Sequence, residues 1–344
     1  MQNNYAEQTS CLKEFARYTS LNVLGMIGLS CYILADTFFV AKGLGTSGLA
    51  ALNLAIPVYS FIHGSGLMFG IGGATKFSIS RKSGLSDLIF TNTLFFAGIT
   101  ALLFFLAGLF LSPQITALLG ADSQVAAMTQ TYLKMILLFA PAFILNDILV
   151  CFVRNDGNPR LSMLAMLGGS MANILLDYVF IFPLGMGIFG AVLATGLAPL
   201  ISIAIMSGHW MGKNKGFHLA KTEIQGQTAL LILSLGFPSL ITEVSSGIVI
   251  IVFNVIILGL KGNVGVAAYG VIANLSLVVI SIFTGIAQGM QPLISSAYGR
   301  GDSARIRGIL RYGLATAVFI SLTLYAGIVG SSSHNSRIQQ REQP

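Results

Sequence analysis

Stretches of about 20 predominantly apolar residues, each long enough to cross roughly 30 Å of hydrocarbon as a helix, recur from residue 20 to residue 330 with short breaks between them. No other feature limits the fold so severely. A segment in lipid has no water to satisfy its backbone, so each stretch must bond its own N–H and C=O groups and is expected as a helix. The pattern predicts nine spans, at 20–40, 53–73, 88–111, 132–153, 161–182, 188–210, 230–258, 267–292 and 309–330, between a leader at 1–19 and a polar tail at 331–344. The fold class expected is an all-α polytopic membrane protein. Only 9% of the 344 residues are charged, against about 25% in soluble domains. A soluble enzyme, a disordered chain and a nucleic-acid-binding module are thereby excluded, the last despite a net charge of +7.

The few charges sort by side. With the N-terminus cytoplasmic, fourteen basic residues (Lys13, Arg17, Lys76, Arg81, Lys82, Arg154, Arg160, Lys213, Lys215, Lys221, Arg300, Arg305, Arg307 and Arg311) fall inside, and only Lys42, Lys134 and Lys261 fall outside. That asymmetry orients the bundle and accounts for the basic balance. Cys11, Cys31 and Cys151 have no metal-ligand spacing and are expected as free thiols. The leader holds Glu7, Lys13, Glu14 and Arg17 and no cleavage-site pattern, so the first span is expected to be retained.

A shift of 217 residues aligns two helix-loop-helix stretches without a gap: Ile33, Gly45, Gly48, Ala50, Ala51, Gly72, Ser78 and Gly84 fall on Ile250, Gly262, Gly265, Ala267, Ala268, Gly289, Ser295 and Gly301. The shift covers an even number of spans, so both copies enter the membrane from the same side, a parallel repeat of the kind used by secondary transporters. The lobes are then 20–217, with six helices, and 218–330, with three. A complete second copy would extend to about residue 434. The apolar run before residue 330 passes abruptly into SSSHNSRIQQREQP, and the expectation is a chain lacking its last three helices through truncation or frameshift; a natural nine-helix protein is the alternative.

Ionisable groups inside spans are costly and mark candidate sites. Asp36, Asp147, Asp177 and Glu243 qualify. Asp36 and Asp177 each lie 16 residues into outward-running spans, about 24 Å up at 1.5 Å per residue. Thr195, seven residues into a descending span, lies about 10 Å below the outer face, at the same level. Asn173 precedes Asp177 by one helical turn and shares its face. Two carboxylates, a carboxamide and a hydroxyl at one depth form a hard-oxygen set able to hold Na⁺ or to share protons; the same polar groups also serve as glue between helices. Asp147 and Arg154, seven residues apart, are expected on one face and could pair. Glu243 stands by itself in the second lobe. No Walker loop, metal-ligand spacing or nucleophile constellation is present, GIGG (70–73) lies within a span, and no enzyme is expected.

LADTFFVAKGLG (34–45), NILLDYVFI (173–181), GFPSLITEVSSG (236–247) and GIAQGMQPLIS (285–295), with LLGAD (118–122) and VRNDGNPR (153–160), resemble the multidrug and toxic compound extrusion (MATE) family over nearly the whole chain to about residue 330. The resemblance implies a two-lobe MATE-type bundle around a central cavity that exports drugs and organic cations in exchange for H⁺ or Na⁺. It implies an ion-coupling role for Asp36, Asn173, Asp177 and Thr195, matches Asn146 to a fourth-helix asparagine with Asp147 competing, and matches Glu243 to a seventh-helix acid; Na⁺ would sit at Asp36, Asp177 and Asn173. The first span, 20–40, lacks the proline that many members bend there.

The expectation is therefore a cation-coupled antiporter for drug-like or organic-cation substrates, multi-pass in the cell inner (plasma) membrane, monomeric, without cofactor and without nucleic acid. A lipid-linked saccharide flippase of a related fold, expected to carry arginines deep in its spans, and an inactive transporter remnant are the alternatives.

Overall fold

A computed structural model describes the backbone of residues 2–212 and 215–341, with side chains at 10–212, 215–249, 272–326 and a few positions between. Lys213, Lys261, the repeat positions Ile250, Gly262, Gly265, Ala267 and Ala268, and the tail at 331–344 fall outside the described residues or side chains.

The nine expected spans lie on seven long helices. α1 (Gln2–Ile79) carries the first two, and one residue, Gly45 (φ 67°, ψ −157°), leaves helical geometry between them. The hydroxyls of Tyr32 and Tyr59 lie 2.9 Å apart, whereas a straight helix would separate them by about 40 Å. The chain thus folds back at Gly45, and the loop expected between 40 and 53 is a kink. Glycine alone adopts that backbone without strain.

Four single spans follow: α2 (Ser86–Phe110), α4 (Ala126–Asn155), α5 (Pro159–Ile181) and α6 (Gly187–Trp210). The short α3 (Ser112–Leu118), opened by Pro113, was not expected. α7 (Gly226–Gly299) carries the seventh and eighth spans, and α8 (Ser303–Arg341) carries the ninth; because Ile232 meets α1 at Gly72 and Gly299 meets it at Ile79, α7 folds back between its two spans. Among the described residues eight stretches are long and apolar enough to cross a membrane, and the first, Ser10–Ile79, has 70 residues, enough for two crossings.

α4 is the most enclosed helix, packed on α1, α2 and α6, and α5 packs on α6 and α1. α2 points Leu102, Leu103 and Phe110 outward, each more than half exposed. Outward leucine and phenylalanine are what lipid contact selects.

α1 meets α7 backbone to backbone. A Cβ on Gly236 would overlap the Met68 carbonyl, one on Gly72 would overlap the Ile232 carbonyl, and one on Gly289 would come within 2.7 Å of the Thr19 Cα. Small residues permit such approach in membrane bundles. Gly72 meets Gly236 and Gly289 meets Thr19; positions 72 and 289, and 19 and 236, are each 217 apart. The two contacts are therefore related by the shift that aligns the repeat.

The basic end is tied down by polar and aromatic contacts. Asp156 accepts from Arg81 (2.8 Å), from the Gly216 N–H (2.8 Å) and pairs with His209 (3.1 Å). Asn158 caps α5 by accepting the Leu161 N–H, with Pro159 in the first turn. The segment between α6 and α7 runs along α2: His218 N–H donates to Asp87 (2.7 Å) and Gln225 N–H to Asn92 (2.8 Å). Phe217, fully buried, stacks its ring among Phe77, Phe90 and Phe152 with centroids 4.6–6.0 Å away. The three cysteines are free thiols.

Candidate functional site

The fold brings four of the expected site residues together. Asp36 comes from the first arm of α1, Asn173 and Asp177 from successive turns of α5, and Thr195 from α6. Asn173 and Asp177 are fully buried, and Asp36 and Thr195 nearly so. The Asp36 and Asp177 carboxyls lie within hydrogen-bonding reach of each other. In the amide orientation that satisfies both of its ends, Asn173 donates to Asp177 Oδ2 (3.0 Å) and accepts the Thr195 N–H (3.2 Å). Tyr132 of α4 lies beside Thr195.

One oxygen of each acid, Asp36 Oδ1 and Asp177 Oδ1, is buried without a hydrogen-bond partner. Two carboxyls held this close and away from water require a shared proton or a cation between them. The set offers oxygens and no nitrogen or sulfur donor apart from the Asn173 amide, a match to a proton or a hard monovalent ion. Among the described residues no group of three or more His, Cys, Asp and Glu is arranged to hold a metal.

The remaining expected residues separate from this cluster. Asn146 lines a cavity of about 80 Å³ together with Thr195, Tyr32, Tyr59, His63 and Asp147, and its Oδ1 is buried and unpartnered. Glu243 is not solitary: it comes against α1 at Gly64, where an added Cβ would lie 3.2 Å from its own.

The expected pairing of Asp147 with Arg154 does not form. Asp147 lies 2.9 Å from His63 Nδ1, because the fold-back at Gly45 carries the second arm of α1 against α4. Arg154 instead points to the contact between α1, α4 and α7. It is fully buried and donates to Asn22 Oδ1 (2.5 Å) and Gln288 Oε1 (3.2 Å), with its Nε unpartnered. Asn22 also donates to the Gly285 carbonyl (3.0 Å), and Asn155 donates to Gln291 (2.9 Å), which donates to Thr75 (2.7 Å). These bonds form a polar latch between the first six spans and α7 at the basic end.

Sequence reasoning missed His63, Tyr32, Tyr59 and Tyr132. A signal for His63 existed, since a histidine in the middle of the span 53–73 is an intramembrane ionisable group. The tyrosines carried none, because aromatic residues are common in such spans.

The MatE family model matches residues 23–179 and 238–332. The multidrug export protein MepA of Staphylococcus saprophyticus subsp. saprophyticus is 28% identical over 323 residues, covering 92% of this chain and 71% of the relative. A solved outward-facing conformation of a multidrug resistance MATE family transporter of the MOP superfamily superposes with a TM-score of 0.81 at 26% identity, covering 92% of this chain and 71% of that one. A MOP superfamily transporter from Pyrococcus furiosus, described as having a binding pocket of reversed polarity and a different function, shares the fold with a TM-score of 0.83 at 24% identity, over 92% of this chain and 71% of that one. The chain belongs to the MatE family, whose members are multi-pass membrane transporters and not enzymes.

Proposed function

We propose that this chain is a secondary antiporter that exports drug-like or organic-cation substrates in exchange for H⁺ or Na⁺, with Asp36, Asp177, Asn173 and Thr195 as its coupling site. The observation that carries the reading is the buried Asp36–Asp177 pair, each acid holding one unpartnered oxygen. Multidrug export by the MepA relative supports the substrate class. A coupling ion that neutralises the pair favours one arrangement of the lobes, and loss of the ion favours the other, because a ligand shifts an equilibrium by its differential affinity for the two states. The latch at Arg154 and Gln291 holds the basic end closed while the ion site is occupied or vacated from the opposite side. The protein lies in the cell inner membrane with its N-terminus and basic end cytoplasmic, as the charge asymmetry directs. It works as a monomer.

Reconstitution tests the reading. Proteoliposomes loaded with a cationic dye should release it on an imposed pH or Na⁺ jump and not without one. Efflux indifferent to both ions, from well-folded protein, overturns the coupling.

A further inference from the structure

The cavity of about 80 Å³ among α1, α4, α5 and α6, with Gln288 of α7 on its border, is bordered by neither Asp36 nor Asp177. It has room for two or three waters at about 30 Å³ each. On one wall is Thr195, which belongs to the acid cluster; on another is the His63–Asp147 pair at 2.9 Å. Between them His63 stacks on Tyr59 (centroids 5.9 Å apart, planes 7°), and the Tyr59 hydroxyl bonds that of Tyr32 at 2.9 Å. Asp147 is nearly fully buried and His63 largely so. A buried histidine and carboxylate on a small, mostly apolar cavity are an expensive arrangement for mere adhesion between helices.

We propose that His63 and Asp147 form a second proton-binding site, joined through this cavity and Thr195 to the Asp36–Asp177 pair. With neutral imidazole and ionised carboxylate the pair carries one negative charge. One solvent proton relayed to the ring through the cavity waters gives an imidazolium–carboxylate pair of zero net charge and leaves each water neutral, and returning it by the same route restores the start; only N–H and O–H bonds are made or broken. The titratable groups around His63 are Asp147 and Cys151 from α4, Tyr59 and Tyr32 from α1, and Glu243 from α7, which lies within electrostatic reach. Glu243, packed on α1 at Gly64, places the site beside the contact between α1 and α7, so that its charge is tied to that contact. The site's role in transport rests on the antiport reading; its existence does not.

The test is carbon-13 NMR of the full-length protein in nanodiscs with ¹³Cε1-histidine. The sequence has four histidines, and H63Q assigns the His63 signal while His209 and His218, each beside a carboxylate, report an intact fold. The His63 signal is expected to titrate reversibly between about pH 5 and 9, and D147N is expected to move that titration by at least tenfold in proton concentration. H63Q is expected to lower pH-driven dye efflux at least tenfold while leaving substrate binding in place. A His63 signal that does not change over the range, or a titration that D147N leaves unmoved, overturns the site; normal pH-driven efflux in H63Q overturns its role. A titrating His63 in a protein without ion-driven efflux overturns only the antiport reading, and a silent His63 in an ion-driven protein overturns only this site.

Discussion

Replacing Asn22 by alanine removes the shortest hydrogen-bond acceptor of a buried guanidinium. Arg154 has no carboxylate within ion-pair distance among the described residues, and its acceptors are Asn22 Oδ1 at 2.5 Å and Gln288 Oε1 at 3.2 Å. A hydrogen bond to a charged group contributes about 1.5–3 kcal/mol. If the bond exists only while the basic end is closed, its loss shifts the closed-to-open equilibrium by about 10- to 150-fold. Cys151 supplies the reporter: it is 1% exposed and its Sγ lies 3.5 Å from Arg154 Nη2. With Cys11 and Cys31 replaced by serine, the rate at which a small charged thiol reagent modifies Cys151 measures the open fraction. The Asn22→Ala variant should react about 10- to 150-fold faster than its parent. An unchanged rate, in a variant whose thermal unfolding is unchanged, refutes the latch.

Gly236→Ala drives a methyl into the Met68 carbonyl, and backbone against backbone can yield only by parting α1 from α7; a cost of about 1–3 kcal/mol should appear as a lower unfolding temperature in detergent, with Gly98→Ala, which meets open space, as the unaffected control. Phe217→Ala empties the centre of the four-ring cluster at about 3–5 kcal/mol, and limited proteolysis should cut the 211–225 segment faster. Asp156→Asn keeps an acceptor for the Gly216 N–H but gives up the pairs with Arg81 and His209; because Arg81 is half exposed the expected loss is small, about 1 kcal/mol, read by thermal unfolding.

The acid cluster was legible because helical rise converts residue counts into depth, and depth alone placed Asp36, Asp177 and Thr195 on one level. Asn173 followed from the four-residue turn it shares with Asp177. What depth cannot supply is azimuth: Asp147 and Arg154, seven residues apart on α4, looked like partners, yet the helix offers them different neighbours, His63 on one arm of α1 and Asn22 on the other. Both neighbours are fixed by the fold-back at Gly45. Gly45 was marked by the repeat, but nothing in a run of apolar and small residues told a kink from a loop. Glu243 looked isolated for the same reason, since its contact at Gly64 crosses from α7 to α1. Short-range periodicity reads spans and levels; contacts between distant helices come from packing.

Binding of the coupling ion by Asp36 and Asp177 is tested by dye efflux from proteoliposomes under pH and Na⁺ jumps for Asp36→Asn, Asp177→Asn and the parent. Each substitution keeps the size of the side chain and removes the charge that needs an ion between the two carboxyls. Both variants are expected to insert and fold as the parent does and to lose ion-driven efflux; parental efflux in both would show that the two acids do not bind the coupling ion.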